Sequence, residues 1–151
     1  MRLPIQVSIF IVRPGSTGEH EFLLLHRVLP RISFWQPVTG GVEAGETVEK
    51  AARRELTEET GFPPDDLKPI GFSYAFPPDE FFREIYETLP NEIKVHVFVT
   101  GMPPGSEPKI NPAEHDDYYW SSFDRALELL HWWDDRESLR QVAAFLKKAG
   151  R

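Results

Sequence analysis

Apolar and β-branched positions fall in short alternating runs through most of this 151-residue chain, and three stretches carry helical spacing instead. Ile5 to Val12 alternates and is β-branched, so it reads as a strand; Glu21 to Val28 reads as a second. Arg13 to His20, with Pro, Gly, Ser and Thr, makes the turn between them and gives a hairpin with a long loop. Leu29 to Phe34 reads as a loop, and Trp35 to Thr39 leads into a glycine-rich segment. Further strands are predicted at about Lys68 to Tyr74, at Glu92 to Thr100 with Ile93, Val95, Val97 and Val99 on one face, and at Asp117 to Trp120. A long aromatic loop, Ala75 to Asn91, and an irregular segment with four prolines, Met102 to His115, separate them. Ser122 caps a helix from Phe123 to about Leu130. Asp134 or Asp135 caps a last helix to Lys148, whose buried stripe is Leu139, Val142, Ala143 and Leu146. Strands around a central helix, then terminal helices, predict an α/β fold, an α/β/α sandwich around a mixed sheet, in one domain over residues 1–151.

The helix predicted over Val48 to Thr60 carries the chemistry. Thr47 can cap it, its interior lacks Pro and Gly, Gly61 suits a left-handed stop, and Pro63 and Pro64 prevent continuation. At about 100° per residue, Val48, Ala51, Ala52 and Leu56 fall on a core-facing side. Glu49, Lys50, Arg53, Thr57 and Thr60 fall on the side toward water. Glu55 and Glu59 project in line with Val48 and Ala52, and Glu58 sits at the edge of that face. Carboxylates on a buried face are costly unless paired or bound to a cation, and three at i, i+3 and i+4 repel one another. The phase therefore opposes a merely solvated acidic patch and points to a site for hard divalent cations with oxygen ligands. Mg²⁺ suits it best, with Mn²⁺ as the alternative.

Composition narrows the partners. A formal net charge of −7 opposes duplex nucleic acid, whose phosphates need Lys and Arg, but allows a small phosphorylated substrate whose charge a metal ion neutralises. The absence of Cys removes disulfides, thiolate metal sites and thiol nucleophiles. No segment has a signal-peptide or membrane-spanning profile, so the expected location is the cytoplasm with no membrane partner, as a monomer or homodimer.

Residues 40–62 read GGVEAGETVEKAARRELTEETGF. Gly40, Glu46, Arg54, Glu55, Leu56, Glu58, Glu59, Gly61 and Phe62 match, without a gap, the signature of Nudix hydrolases, which this chain resembles along nearly its whole order of elements. A chance match has a probability on the order of 10⁻⁹ per starting position, which disposes of coincidence. The resemblance implies the Nudix fold, a loop–helix ion pair between Glu46 and Arg54, and metal ligation by Glu55, Glu58 and Glu59, with the Gly40 carbonyl as a further ligand.

Outside that signature, Phe34 to Gly41 (FWQPVTGG) resembles the lead-in of dihydroneopterin triphosphate pyrophosphatases and related nucleoside triphosphate pyrophosphohydrolases. By the same resemblance Arg27 would meet substrate phosphate, Glu114 of the Glu114-His115 pair would be an additional metal ligand, and Trp132 to Arg136 matches less closely. Trp35 is either core or pocket wall, and Thr39 is grouped with the substrate-binding positions. His115 reads as structural rather than as a ligand, and Trp132 and Trp133 as a packing anchor. Phe76, Phe81 and Phe82 are the candidates for stacking on a planar base. The activity implied is metal-dependent attack of water on a phosphorus of a nucleoside or pterin triphosphate, giving monophosphate and pyrophosphate. Glu55, Glu58, Glu59 and Glu114 form the catalytic set, with Glu59 or Glu114 as base. Pro77 points instead toward ADP-ribose, dinucleoside polyphosphates are a further substrate class, and a non-catalytic nucleotide sensor is the reading of another class.

Overall fold

The computed structural model describes residues 1–79, 82, 86 and 88–150. Its elements run β1 (Arg2–Pro14), β2 (His20–Val28), β3 (Ser33–Gln36), β4 (Val38–Glu43), α1 (Val48–Thr60), β5 (Lys68–Phe76), β6 (Ile93–Gly101), β7 (His115–Ser121), α2 (Phe123–Leu129) and α3 (Trp133–Lys148). Among the described residues the strands form one mixed sheet in the order β3-β2-β1-β6-β5, with β4 also paired to β1 and β7 to β2. β1 and β6 run parallel, from Ile5↔Lys94 to Val12↔Gly101, and the other pairs are antiparallel.

Helices cover both faces. Val7, Ile9, Ile11, Leu23, Leu25, Val38 and Val42 pack against Ala51, Ala52 and Leu56 of α1. On the other face Phe10, Val12, Leu24, Val97 and Val99 pack against Ala126 of α2 and Leu139, Val142 and Leu146 of α3. This is the expected α/β/α arrangement. A strand covered on both sides is apolar on both sides, which is why Phe98 is buried beside Val97 and Val99 as well.

Helix α1 has the predicted limits. The Thr47 Oγ1 accepts from the Lys50 N–H at 3.1 Å, and Gly61, at φ 73°, ends the helix by donating to the Thr57 carbonyl. Thr60, expected on the watery side, is buried: its hydroxyl donates to the Leu56 carbonyl at 2.7 Å, so its polarity is satisfied within the helix. Three other expectations change. The stretch taken as loop to Phe34 already contains the start of β3, too short and too aromatic to show alternation. Helix α3 is capped by Trp132 without a side-chain hydrogen bond, and Asp134 and Asp135 lie inside its first turn. Ala143 is half-buried, at the margin of the α3 stripe.

Asp135 is 5% exposed and faces the sheet rather than the helix end. Burial, then the charge of Asp134, pushes its carboxyl up to about 7 against the opposing pull of Arg136. Its charge, after burial itself, helps to raise the Tyr74 phenol.

One ion cluster fixes how the glycine-rich loop meets α1. The Arg54 Nε and Nη2 donate to the two Glu46 carboxylate oxygens at 2.8 and 2.9 Å, and Nη2 donates to the Gly41 carbonyl at 3.0 Å. Its Nη1 donates to Glu55 Oε1 at 2.8 Å and to Glu58 Oε2 at 3.3 Å. Glu46 also accepts from the Glu43 N–H at 3.0 Å. The bond from Arg54, followed by that backbone donor, holds the Glu46 carboxyl down at about 2 despite some burial.

Two outcomes follow. Arg54→Ala should cost about 2 kcal/mol in urea unfolding at pH 7, because the inward-facing Glu55 loses its counter-charge while the cluster stays partly solvated. Asp135 favours its proton in the fold, so its contribution is full below the ordinary aspartate range and lost as pH rises through about 7. Asp135→Asn should therefore raise Tm by about 2–4 °C at pH 8, as ~1 kcal/mol does in a chain of this size, and leave it unchanged near pH 3.5. Thermal scans at both pH values check the sign.

Candidate active site

Glu55 and Glu59 lie one helical turn apart on the inward face of α1, 9% and 2% exposed, while Glu58 beside them is exposed. Glu55 sits directly over Gly40 in β4: a Cβ at residue 40 would lie 2.0 Å from the Glu55 Cδ, so only glycine lets the carboxylate occupy that place. Burial pushes the Glu55 carboxyl up to about 7; Arg54 opposes this, and the charges of Glu58 and Glu59 add to it.

The fourth acid arrives from the other end of the chain. The segment after β6 is pinned where Arg13 binds Glu107 and the Ser106 carbonyl, and where the Tyr118 hydroxyl donates to Glu107 at 2.6 Å. The Lys109 N–H then donates to the Thr60 carbonyl at 2.8 Å, which ties the segment to the end of α1. Asn111 closes a turn by accepting from Ala113 on its side chain and from Glu114 and His115 on its carbonyl. That turn delivers Glu114 and His115 beside Glu59, and ligand atoms of the three lie within 4.8 Å of one another.

Glu59 and Glu114 stand side by side. Burial opposes ionisation of Glu59, but the nearness of His115 and Glu114, with the charge of Arg27, outweighs it and holds its carboxyl low. Burial, then the nearness and charge of Glu59, pushes Glu114 up. The surroundings thus drive the two neighbouring carboxyls in opposite directions. Arg27 of β2 reaches to 4.0 Å of Glu114. His115, 2% exposed, has its Nδ1 3.1 Å from Glu59 Oε2 but off hydrogen-bond geometry, so that oxygen, although buried, has no hydrogen-bond partner. An orphaned buried carboxylate oxygen, next to acids that lack enough counter-charge, fits a hard cation with oxygen ligands.

The sequence candidates divide between the two faces of the sheet. Gly40 and Gln36 face α1, as the partners Val7 for Gly40 and His115 for Gln36 show, and Arg27 joins them beside Glu114. Trp35 packs on the opposite face against the α2 and α3 side, its ring 4.8 Å from that of His26. Thr39, opposite Ser8, shares that face. Phe76 and Phe82 are half-buried, with ring centroids 5.7 Å apart, and Phe82 packs on Tyr86, whose hydroxyl donates to the Leu3 carbonyl. Phe81 lies outside the described residues. Trp132 and Trp133 are 47% and 64% exposed, with Trp132 edge-on to Phe34.

Sequence reasoning passed over Gln36, whose amide nitrogen lies 2.9 Å from His115 Nε2 with both side chains buried. No periodic signal marks it, because β3 is only four residues long. No helix among the described residues is long and apolar enough to cross a membrane.

Known proteins share this family and fold. The NUDIX domain family matches residues 2–142. The dihydroneopterin triphosphate diphosphatase of Escherichia coli K12 is 31% identical over 144 residues, covering 89% of this chain and 90% of that protein. A solved structure of the E. coli dihydroneopterin triphosphate pyrophosphohydrolase has a TM-score of 0.78 at 26% identity, over 93% of this chain and 94% of the other. An octanoyltransferase of Myxococcus xanthus is 35% identical over 139 residues, 91% of this chain, but the match spans only 36% of that longer protein. With the family model matched over nearly all its length, the chain belongs to the NUDIX domain family.

Proposed function

We propose that this chain hydrolyses a nucleoside or pterin triphosphate to its monophosphate and pyrophosphate, by attack of water on phosphorus. The observation that carries the reading is the set of acids in which buried Glu55 and Glu59 share the inward face of α1, exposed Glu114 stands beside Glu59, and one Glu59 oxygen has no hydrogen-bond partner. The likeness to dihydroneopterin triphosphate diphosphatase supports the substrate class. The acyl transfer in the name of the Myxococcus relative has no counterpart in this cluster, which holds carboxylates and an imidazole in a chain without cysteine.

Glu55, Glu58, Glu59, Glu114 and the Gly40 carbonyl are the groups that would hold Mg²⁺ or Mn²⁺. When bound, such an ion neutralises phosphate charge and acidifies water. The chain's own residues supply the rest. Arg54 keeps the Gly40–Gly41 strand and the Glu55 carboxylate in register. Glu59, whose carboxyl its surroundings hold low, or Glu114 beside it would take the proton from water. Arg27, 4.0 Å from Glu114, offers a guanidinium for a substrate phosphate. The net charge of −7 favours a small substrate over duplex nucleic acid.

Glu59→Gln should lower kcat by about 10³-fold or more, since it removes charge at the centre of the cluster, while circular dichroism and Tm stay close to wild type. Near-normal turnover in that variant would remove Glu59 from the mechanism. A hydrolysis panel would fix the substrate: standard and oxidised nucleoside triphosphates, dihydroneopterin triphosphate, diadenosine tetraphosphate and ADP-ribose, each with and without Mg²⁺. Pyrophosphate and a monophosphate from one triphosphate, only with metal, is the expected result. Turnover of ADP-ribose alone would overturn the substrate class and bring Pro77 forward, and tight nucleotide binding without turnover would indicate a sensor.

A further inference from the structure

The span 102–114 between β6 and β7 contains no helix or strand, yet both of its ends are tied down. At its start the Met102 N–H donates to the Val12 carbonyl at 2.8 Å, and at its finish the Asn111 carbonyl accepts from Glu114 and His115 at 3.1 and 3.0 Å. Between them stands Glu107, an exposed acid with both carboxylate oxygens engaged. Oε1 takes Nη1 of Arg13 from β1, and Oε2 takes the hydroxyl of Tyr118 from β7 at 2.6 Å. Arg13 is itself fixed. Its Nε donates to Glu21 at 2.9 Å, its Nη1 also reaches the Ser106 carbonyl at 2.6 Å, and its guanidinium lies 4.2 Å over the Trp120 ring.

An exposed ion pair contributes little to stability, so the place of this bridge says more than its strength. The Glu107–Tyr118 bond joins two points 11 residues apart, and Glu114 lies on the loop they close. Pro108 and Pro112 fix their own φ and restrict Glu107 and Asn111 before them. Pro108 is buried, Ile110 packs on the α1-side core, and the Lys109 N–H is bound to the Thr60 carbonyl at 2.8 Å. A stretch with so few free torsions passes a shift at Glu107 on toward Glu114 instead of absorbing it. Neither Glu107 nor Tyr118 is one of the grouped ligand residues, so their bond bears on the acids through this loop.

We propose that Glu107 is a positioning residue: by bridging Arg13 and Tyr118 it sets where Glu114 stands beside Glu59, and so how tightly the acids take a divalent cation. Glu107 meets neither the cation nor the substrate and acts only through Glu114. Loss of the bridge frees the arm while every acid of the cluster stays in the chain. This rests on the reading of the acids as a cation site.

The test titrates the full chain with Mn²⁺, following the electron paramagnetic resonance signal of the free ion, and measures amide hydrogen exchange in the metal-free protein. Glu107→Ala should weaken Mn²⁺ binding about 10-fold, the lower end of the scale for groups that support metal ligands. It should also speed exchange at the Glu114 and His115 N–H groups while the paired amides of β1 and β6 stay slow. Tyr118→Phe, which keeps the ring and removes only the hydroxyl, should move both readouts the same way by a smaller factor. In a Glu114→Gln background, Glu107→Ala should change Mn²⁺ affinity no further, because its effect runs through Glu114. Unchanged affinity in both Glu107→Ala and Tyr118→Phe would overturn the proposal, and so would an equal loss in the Glu114→Gln background. If Glu107→Ala does not fold, Tyr118→Phe and its combination with Glu114→Gln decide. A wild type that takes up no Mn²⁺ would instead defeat the cation reading, and the exchange rates would still show whether Glu107 holds the arm.

Discussion

Arg54 spreads one guanidinium across Glu46, Glu55, Glu58 and the Gly41 carbonyl, and the arrangement of the acids depends on it. Three carboxylates on neighbouring turns of a helix repel, and two of them face inward, where water cannot screen the charge. A planar, always-charged group with several fixed donors can answer more than one of them at once, which an ammonium on a flexible stem cannot. Its two bonds to Glu46 also anchor the loop that begins at Gly40, so the strand passing under Glu55 and the helix above it are held by the same side chain.

That guanidinium reaches Glu55 and Glu58 but makes no contact with Glu59. Glu59 is balanced from elsewhere, by His115 at 3.1 Å and by the charge of Arg27. The cluster thus contains two electrostatic regimes side by side. Glu55 is paired with arginine and still pushed up to about 7, whereas Glu59 remains ionised in a more enclosed position. Their different neighbours separate two chemically identical groups one turn apart, the condition for giving them different tasks.

Helix α1, both of its caps and the inward set of Glu55 and Glu59 were legible in the sequence, because amphipathic phase and cap chemistry are local and strong. The resemblance of residues 40–62 added the Glu46–Arg54 pair, which spacing alone does not reveal. What escaped was decided by tertiary context. Thr60 looks solvent-facing by phase but satisfies its hydroxyl on its own helix and is covered by the Lys109 segment. Asp135 looks like a cap, the commonest use of an aspartate before a helix, yet turns into the sheet. Strand β3 is too short for periodicity to announce it, and with it went Gln36, whose partner His115 lies 79 residues away.

The segment between β6 and β7 has an implication of its own. Residues 40–59 form a contiguous block that can be inherited whole, while Glu114 rides on a separate, proline-rich span held at Glu107, Lys109 and Asn111. A change of length in that span would move the fourth acid relative to the other three, and would be felt where Met102 and Ile110 of the span pack on the α1-side core. The architecture therefore separates a chemical cassette that is contiguous in sequence from an arm that arrives from afar, and the spacing of the acids is set where the two meet.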